Sequence, residues 1–110
     1  MQIPHPFDLS ATLQSGQTFH WHPVVEGWLG SIGDQAVYLR QEGARLHVVP
    51  ASAESAVRHY FALDHDVPAM LRSCPAGDAP LGAALYFCPG LRILRQPLWE
   101  CLATFITSSL

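Results

Sequence analysis

The spacing of apolar residues changes once along this chain, at Pro50, and that change constrains the fold more than any other feature. Before it, apolar residues alternate with polar ones or form short runs broken by glycine. After it, they recur in steps of three and four. Side chains alternate across a strand with a period of two and return to one face of a helix every 3.6 residues. Neither pattern buries its apolar set in the other element. The chain therefore reads as strands followed by helices, an α+β fold.

Thr18 to Val25 alternates, with Phe19, Trp21 and Pro23 on one side and His20 and His22 on the other. Trp28 to Ile32, Ala36 to Arg40 and Leu46 to Val49 are further strands, joined by Gly33-Asp34 and Glu42-Gly43 turns. Strands at this spacing with glycine turns predict an antiparallel meander. Residues 7–13 are expected to add an edge strand. Beyond Pro50, Ser52 is expected to cap a helix with the stripe Ala53, Val57, Tyr60 and Phe61. Asp64 or Asp66 caps a short second helix carrying Val67, Met70 and Leu71. Asp78, with Pro80 behind it, opens a third whose Leu81, Ala84, Leu85 and Cys88 are expected to face inward. Pro97 opens the last, with Leu98, Leu102, Phe105 and Ile106 on one face and Trp99 beside them. That helix meets Ser108-Ser109-Leu110 with no glycine, asparagine or basic residue for its final carbonyls. It reads as an element interrupted, the plain alternative being a frayed terminus.

At 110 residues the length fits one domain, and 49% hydrophobic against 14% charged residues fits a packed core. All six basic residues are arginine; there is no lysine. Lysine Schiff-base chemistry and a Walker-type phosphate clamp are therefore excluded for these residues alone. A formal charge of -3 gives no electrostatic signature of a nucleic-acid binder. The three cysteines include no C-x-x-C pair, which argues against a disulfide framework and a four-cysteine zinc site and suits a reducing, cytoplasmic setting. No secretory leader is visible, and no apolar run approaches the ~20 residues that span a bilayer, so no membrane partner is expected.

Several constellations carry chemistry. His20 and His22 form an H-x-H pair that suits zinc or nickel given a third ligand; alternatively both are half-exposed strand residues. Asp64, Asp66, His59 and His65 cluster in sequence, as an acid/base set or simply as caps and surface residues. Cys101 has no histidine beside it and reads as a small packing residue. Ser15-Gly16-Gln17 interrupts two apolar segments; its glycine permits either a bulge or the close approach of a ligand. No Ser-His-Asp order, G-x-S-x-G elbow or phosphate-cradling loop is present, and no cofactor is expected.

Four blocks together resemble one family. They are Phe7-Asp8-Leu9-Ser10-Ala11-Thr12-Leu13-Gln14-Ser15-Gly16-Gln17-Thr18-Phe19-His20-Trp21, then Trp28-Leu29-Gly30-Ser31-Ile32, then His59-Tyr60-Phe61-Ala62-Leu63-Asp64, and finally the long stretch from Gly90-Leu91-Arg92-Ile93-Leu94-Arg95-Gln96-Pro97 through Trp99-Glu100-Cys101 to Ser109. In this order they resemble the 8-oxoguanine DNA glycosylases, from about Phe7 to Ser109. The resemblance implies base-excision repair of oxidised guanine in double-stranded DNA. The family flips the lesion from the stack, cuts its glycosidic bond with a lysine amine and nicks the strand as a β-lyase. It implies an N-terminal domain similar to one repeat of the TATA-binding protein, over residues 1–96. Residues 97–110 would begin a helix leading to a helix-hairpin-helix domain that this sequence lacks.

By the same resemblance, Gly16 matches the glycine whose carbonyl accepts a hydrogen bond from the N7–H of 8-oxoguanine. Gln17, and the close basic pair Arg92 and Arg95, are candidates for DNA contact or for bracing a domain interface. Many members have arginine where His20 stands, and many continue past Ser108-Ser109 with asparagines that contact the orphaned cytosine. The family's catalytic lysine and aspartate have no counterpart here, so no catalytic residue is assigned and the chain is expected to be inactive alone. Two other readings stand beside this one. One is a non-catalytic interaction module that docks on a separate chain through its last helix. The other is a metal-dependent enzyme built on His20 and His22.

Overall fold

Pro23, Trp28, Leu39 and Val48 lie in one row across four antiparallel strands, β1 (His22–Val24), β2 (Gly27–Ile32), β3 (Gln35–Glu42) and β4 (Arg45–Val49), in that spatial order. The computed structural model describes residues 1–109. Alternation gives the sheet a buried face of Trp28, Val37, Leu39 and Leu46. The opposite face carries the row His22, Leu29, Tyr38 and Val49, and Arg40 held between Glu26 and Glu42, both at 2.9 Å.

The buried face packs on α2 (Glu54–Tyr60) and the turns around it. Ala53, Val57, Tyr60 and Phe61, the predicted stripe, all lie in the core. Their entry is a 3-10 turn over Ala51–Ala53, and no side chain caps it; Ser52 instead receives a long hydrogen bond from Gln35. Phe7 and Tyr60 each meet Phe61 edge-on, at 5.6 and 5.1 Å between ring centres. The Trp21 indole packs against β2 at Gly30. A Cβ at Gly30 would sit 2.4 Å from the ring, so a residue without a side chain is required there.

The edge strand expected over residues 7–13 is instead a helix, α1 (Leu9–Leu13). Asp8 caps it, accepting from the Ala11 amide at 2.9 Å, and Leu9, Thr12 and Leu13 are spaced to share one buried face. The edge is covered by residues 1–3, whose backbone pairs with Ala44 and Leu46. α3 (Val67–Arg72) is capped by Asp66 and α4 (Ala79–Phe87) by Asp78, through the Ala69 and Leu81 amides, each at 3.0 Å. α5 (Leu98–Ser108) follows Pro97. None of α3, α4 and α5 contains a buried residue. Leu81, Leu85 and Cys88 are only half-buried and Ala84 is exposed, contrary to expectation, because Ala84, Leu85 and Cys88 line an open cavity of about 700 Å³ shared with α1 and α3 rather than a packed core. The end of α5 is better satisfied than its sequence suggests: Ser108 and Ser109 hydroxyls donate to the Phe105 and Ile106 carbonyls at 2.9 and 2.8 Å. Leu110 lies outside the described residues.

Candidate functional site

Ser15 to Gln17 forms a turn between α1 and the first strand, and its shape follows from local chemistry. The Ser15 hydroxyl closes α1 by donating to the Thr12 carbonyl at 2.7 Å. Gly16 then adopts φ +86°, a conformation that L side chains rarely take. Its missing side chain leaves open space, since a Cβ there would meet nothing within 4 Å. Gly16 faces a cavity of about 300 Å³ whose walls include Gln17, Phe19, Cys101, Thr104 and Phe105. One wall is the turn and the other is α5. Phe19 and Phe105 are more than half exposed, so the groove is open and largely apolar. Among the described residues no hydrogen bond is made to the Gly16 carbonyl.

Gln17 fixes this turn to the segment leading into α5. Its Nε2 donates to the Arg92 carbonyl at 2.7 Å and its Oε1 accepts from the Leu94 amide at 2.8 Å. Its own carbonyl accepts from Gln96 at 2.6 Å. Residues 91–96 are thereby held as a strap by side chains rather than by a strand ladder. Sequence reading singled out Gln17 but missed Gln96, Thr12 and Gln41. Thr12 Oγ1 accepts from the Arg92 amide at 3.2 Å, and Gln41 pins the start of α1 through Leu9 and Phe7. No residue-type signal distinguishes a glutamine that bonds backbone from one in solvent.

The two arginines differ. Arg92 is 3% exposed, and its guanidinium donates to the Pro6 and Ala62 carbonyls at 3.1 and 3.0 Å. Both of these donors are directed into the domain, onto main-chain carbonyls. Arg95 is solvent-accessible and holds the Asp64 carboxylate with both nitrogens, holding its pKa down at about 2. Asp64 is thus an ion-pair partner, and the capping role falls to Asp66.

His20 and His22 do not assemble a metal site. His20 Nε2 lies 2.9 Å from the Ser31 carbonyl and its Nδ1 is 3.1 Å from Thr18 Oγ1 and 3.4 Å from Glu100 Oε1. Among the described residues no group of three or more His, Cys, Asp or Glu side chains is placed to hold a metal ion. Behind Thr18, the Tyr60 hydroxyl accepts from Trp21 Nε1 at 3.2 Å, and burial pushes its pKa up. Cys101 is exposed on the groove wall, not in the core.

Solved structures share this fold. The chain superposes on MBOgg1 in complex with a low-affinity DNA ligand with a TM-score of 0.82 and 33% identity, over 93% of this chain and 36% of that one. The 8-oxoguanine glycosylase/lyase of Clostridium acetobutylicum matches in its apo form with a TM-score of 0.82 and 26% identity, over 94% of this chain and 37% of that one. The same enzyme in complex with double-stranded DNA containing cytosine opposite 8-oxoG matches over the same shares at a TM-score of 0.78 and 26% identity. These matches define the class, an α+β domain of the DNA glycosylase type. The chain belongs to the 8-oxoguanine DNA glycosylase N-terminal domain family, whose model matches residues 2–102. It spans about a third of the length of the solved chains it matches.

Proposed function

We propose that this chain is the lesion-reading part of an 8-oxoguanine DNA glycosylase/AP lyase, acting on oxidised guanine in double-stranded DNA during base-excision repair in the cytoplasm. The observation that carries the reading is Gly16, held at positive φ beside an open groove with room around its backbone. A base that carries a hydrogen on N7 offers a donor to a main-chain carbonyl; unmodified guanine offers a lone pair there and is repelled. The groove's exposed aromatic rings, Phe19 and Phe105, suit a flat, extruded base.

These 110 residues by themselves are proposed to bind weakly and to cut nothing. They contain no lysine, so no side-chain amine is available to attack the sugar, and a net charge of -3 does little to neutralise phosphates. Borohydride trapping on an abasic or 8-oxoguanine duplex tests this. No adduct is expected. A covalent adduct at any residue other than the N-terminal amine, or multiple-turnover release of 8-oxoguanine, overturns it.

One feature favours a second reading, an interaction module that docks on a separate chain. The apolar face of α5 is uncovered, with Leu98 87%, Trp99 76% and Phe105 69% exposed. Faces of that kind mark protein contacts. Size-exclusion chromatography separates the readings, since a well-behaved monomer at high concentration counts against the module.

A further inference from the structure

His20 sits where three elements meet. Its Nε2 faces the Ser31 main-chain carbonyl of β2 at 2.9 Å. A carbonyl only accepts, so Nε2 carries the hydrogen and donates it. In the neutral ring Nδ1 is then a bare lone pair, and it points at Thr18 Oγ1 at 3.1 Å and Glu100 Oε1 at 3.4 Å. Thr18 answers that lone pair with its hydroxyl hydrogen; the Glu100 carboxylate has nothing to offer it but repulsion. With a solvent proton on Nδ1 the conflict disappears, because the imidazolium donates to Ser31 and pairs with Glu100 at once. Glu100 lies in the first turn of α5, next to Cys101 and one turn before Thr104 and Phe105, the residues that form the far wall of the Gly16 groove.

We propose that His20 is a positioning residue that docks α5 against the sheet when protonated, and so makes the geometry of the Gly16 groove respond to pH. The other titratable groups around it are few. From α2, Tyr60 reaches it only through Thr18, and stays neutral in the range where imidazoles titrate because burial and Glu100 both push its pKa up. His22, two positions further along the strand, makes no hydrogen bond or ion pair with it. The side chains of His20 and Glu100 are 27% and 33% accessible, so the pair is open to solvent protons and its effect is modest. The device stands apart from the identity of the groove's ligand.

Hydrogen exchange of the 110-residue chain, corrected for intrinsic rates, tests it without DNA. On going from pH ~8 to pH ~5, either side of ordinary imidazole titration, the α5 amides are expected to gain protection about two- to fivefold while β3 is unchanged. His20→Gln keeps a donor for Ser31 but never charges, and Glu100→Gln removes the partner; each abolishes the response. His20→Arg, permanently cationic, holds α5 protected at both pH values. Nitrogen-15 imidazole shifts of the unaltered chain add a check that needs no variant, with Nε2 as the protonated nitrogen at high pH. Equal α5 protection at both pH values in the unaltered chain, or an undiminished response in His20→Gln, overturns the proposal. Failure to bind 8-oxoguanine DNA leaves these readouts unaffected and bears on the proposed function alone.

Discussion

The Arg95 guanidinium grips the Asp64 carboxylate side-on, Nη1 to Oδ1 at 2.7 Å and Nη2 to Oδ2 at 3.0 Å. The pair ties the strap before α5 to the turn after α2, and Arg95 adds a main-chain link by donating its amide to the Tyr60 carbonyl at 2.8 Å. The hydrogen bond from Arg95 holds the Asp64 pKa at about 2, below the ordinary aspartate value of about 3.9. A carboxyl whose pKa is lower in the folded than in the unfolded chain stabilises above the unfolded value. That contribution is whole above roughly pH 5 and is lost as pH falls through about 2. Replacing Asp64 with Asn is therefore expected to flatten the acid limb of a stability–pH curve between roughly pH 4 and pH 2. Urea midpoints at stepped pH measure it, and an unchanged acid slope counts against the pair.

Arg92 braces the domain although its guanidinium meets no carboxylate. Its guanidinium joins Pro6, before α1, to Ala62, after α2, and its amide donates to Thr12 Oγ1. Arg92→Met fills the same space but strands the buried Pro6 carbonyl and leaves Ala62 with the His65 amide alone, at a cost of about 1–3 kcal/mol. Chemical denaturation reads the loss directly. Arg92→Lys is expected to recover only part of it, because one ammonium on a flexible stem does not reproduce the planar fork. A loss under about 0.5 kcal/mol for the methionine variant, the scale of a typical surface substitution, contradicts the clamp.

A single methyl group at Gly30 tests the contact between Trp21 and the sheet. The added Cβ would approach Cδ2 and Cε3 of the indole at 2.4 and 2.5 Å, so the ring must move or the strand must bend. Overpacking of this kind costs about 1–3 kcal/mol. Trp21 also donates to Tyr60, so Gly30→Ala is expected to shift near-ultraviolet circular dichroism together with the melting temperature. Normal stability with an unshifted aromatic spectrum removes the packing argument.

The sheet and the core helix were legible because their signals are local. Short apolar runs between glycine turns marked the strands that carry Val37, Leu39 and Leu46, and the three-four stripe marked Val57, Tyr60 and Phe61 as one helical face; all six lie in the core. Residues 7–13 misled because Leu9 and Leu13 fit a strand of alternating positions as well as one helical face; the Asp8 cap decides it. α4 was read as core-facing because its sequence is apolar, yet an apolar helix is buried only where a second layer meets it. At the site, Gly16 and Gln17 stood out through their motif. The strap that completes the groove did not, since it depends on side-chain to backbone bonds between residues 12–17 and 92–96, which no periodicity encodes.

Gly16 allows stability and recognition to be separated. A methyl group there clashes with nothing in the domain, so the structural cost of Gly16→Ala is confined to holding φ near +86°, about 1–2 kcal/mol. The functional cost, under the proposed reading, arises because the added methyl takes up open space at a residue that lines the groove a flipped base would enter. The chain is short of phosphate-neutralising charge, so binding is best measured in low salt by fluorescence anisotropy on matched duplexes with 8-oxoguanine or guanine opposite cytosine. The unaltered chain is expected to prefer the oxidised duplex, and Gly16→Ala to lose that preference while its weak affinity for the guanine duplex persists. Equal loss on both duplexes would indicate a damaged fold, which thermal melting of the same sample detects. Full retention of the preference would show that the Gly16 backbone does not read the lesion.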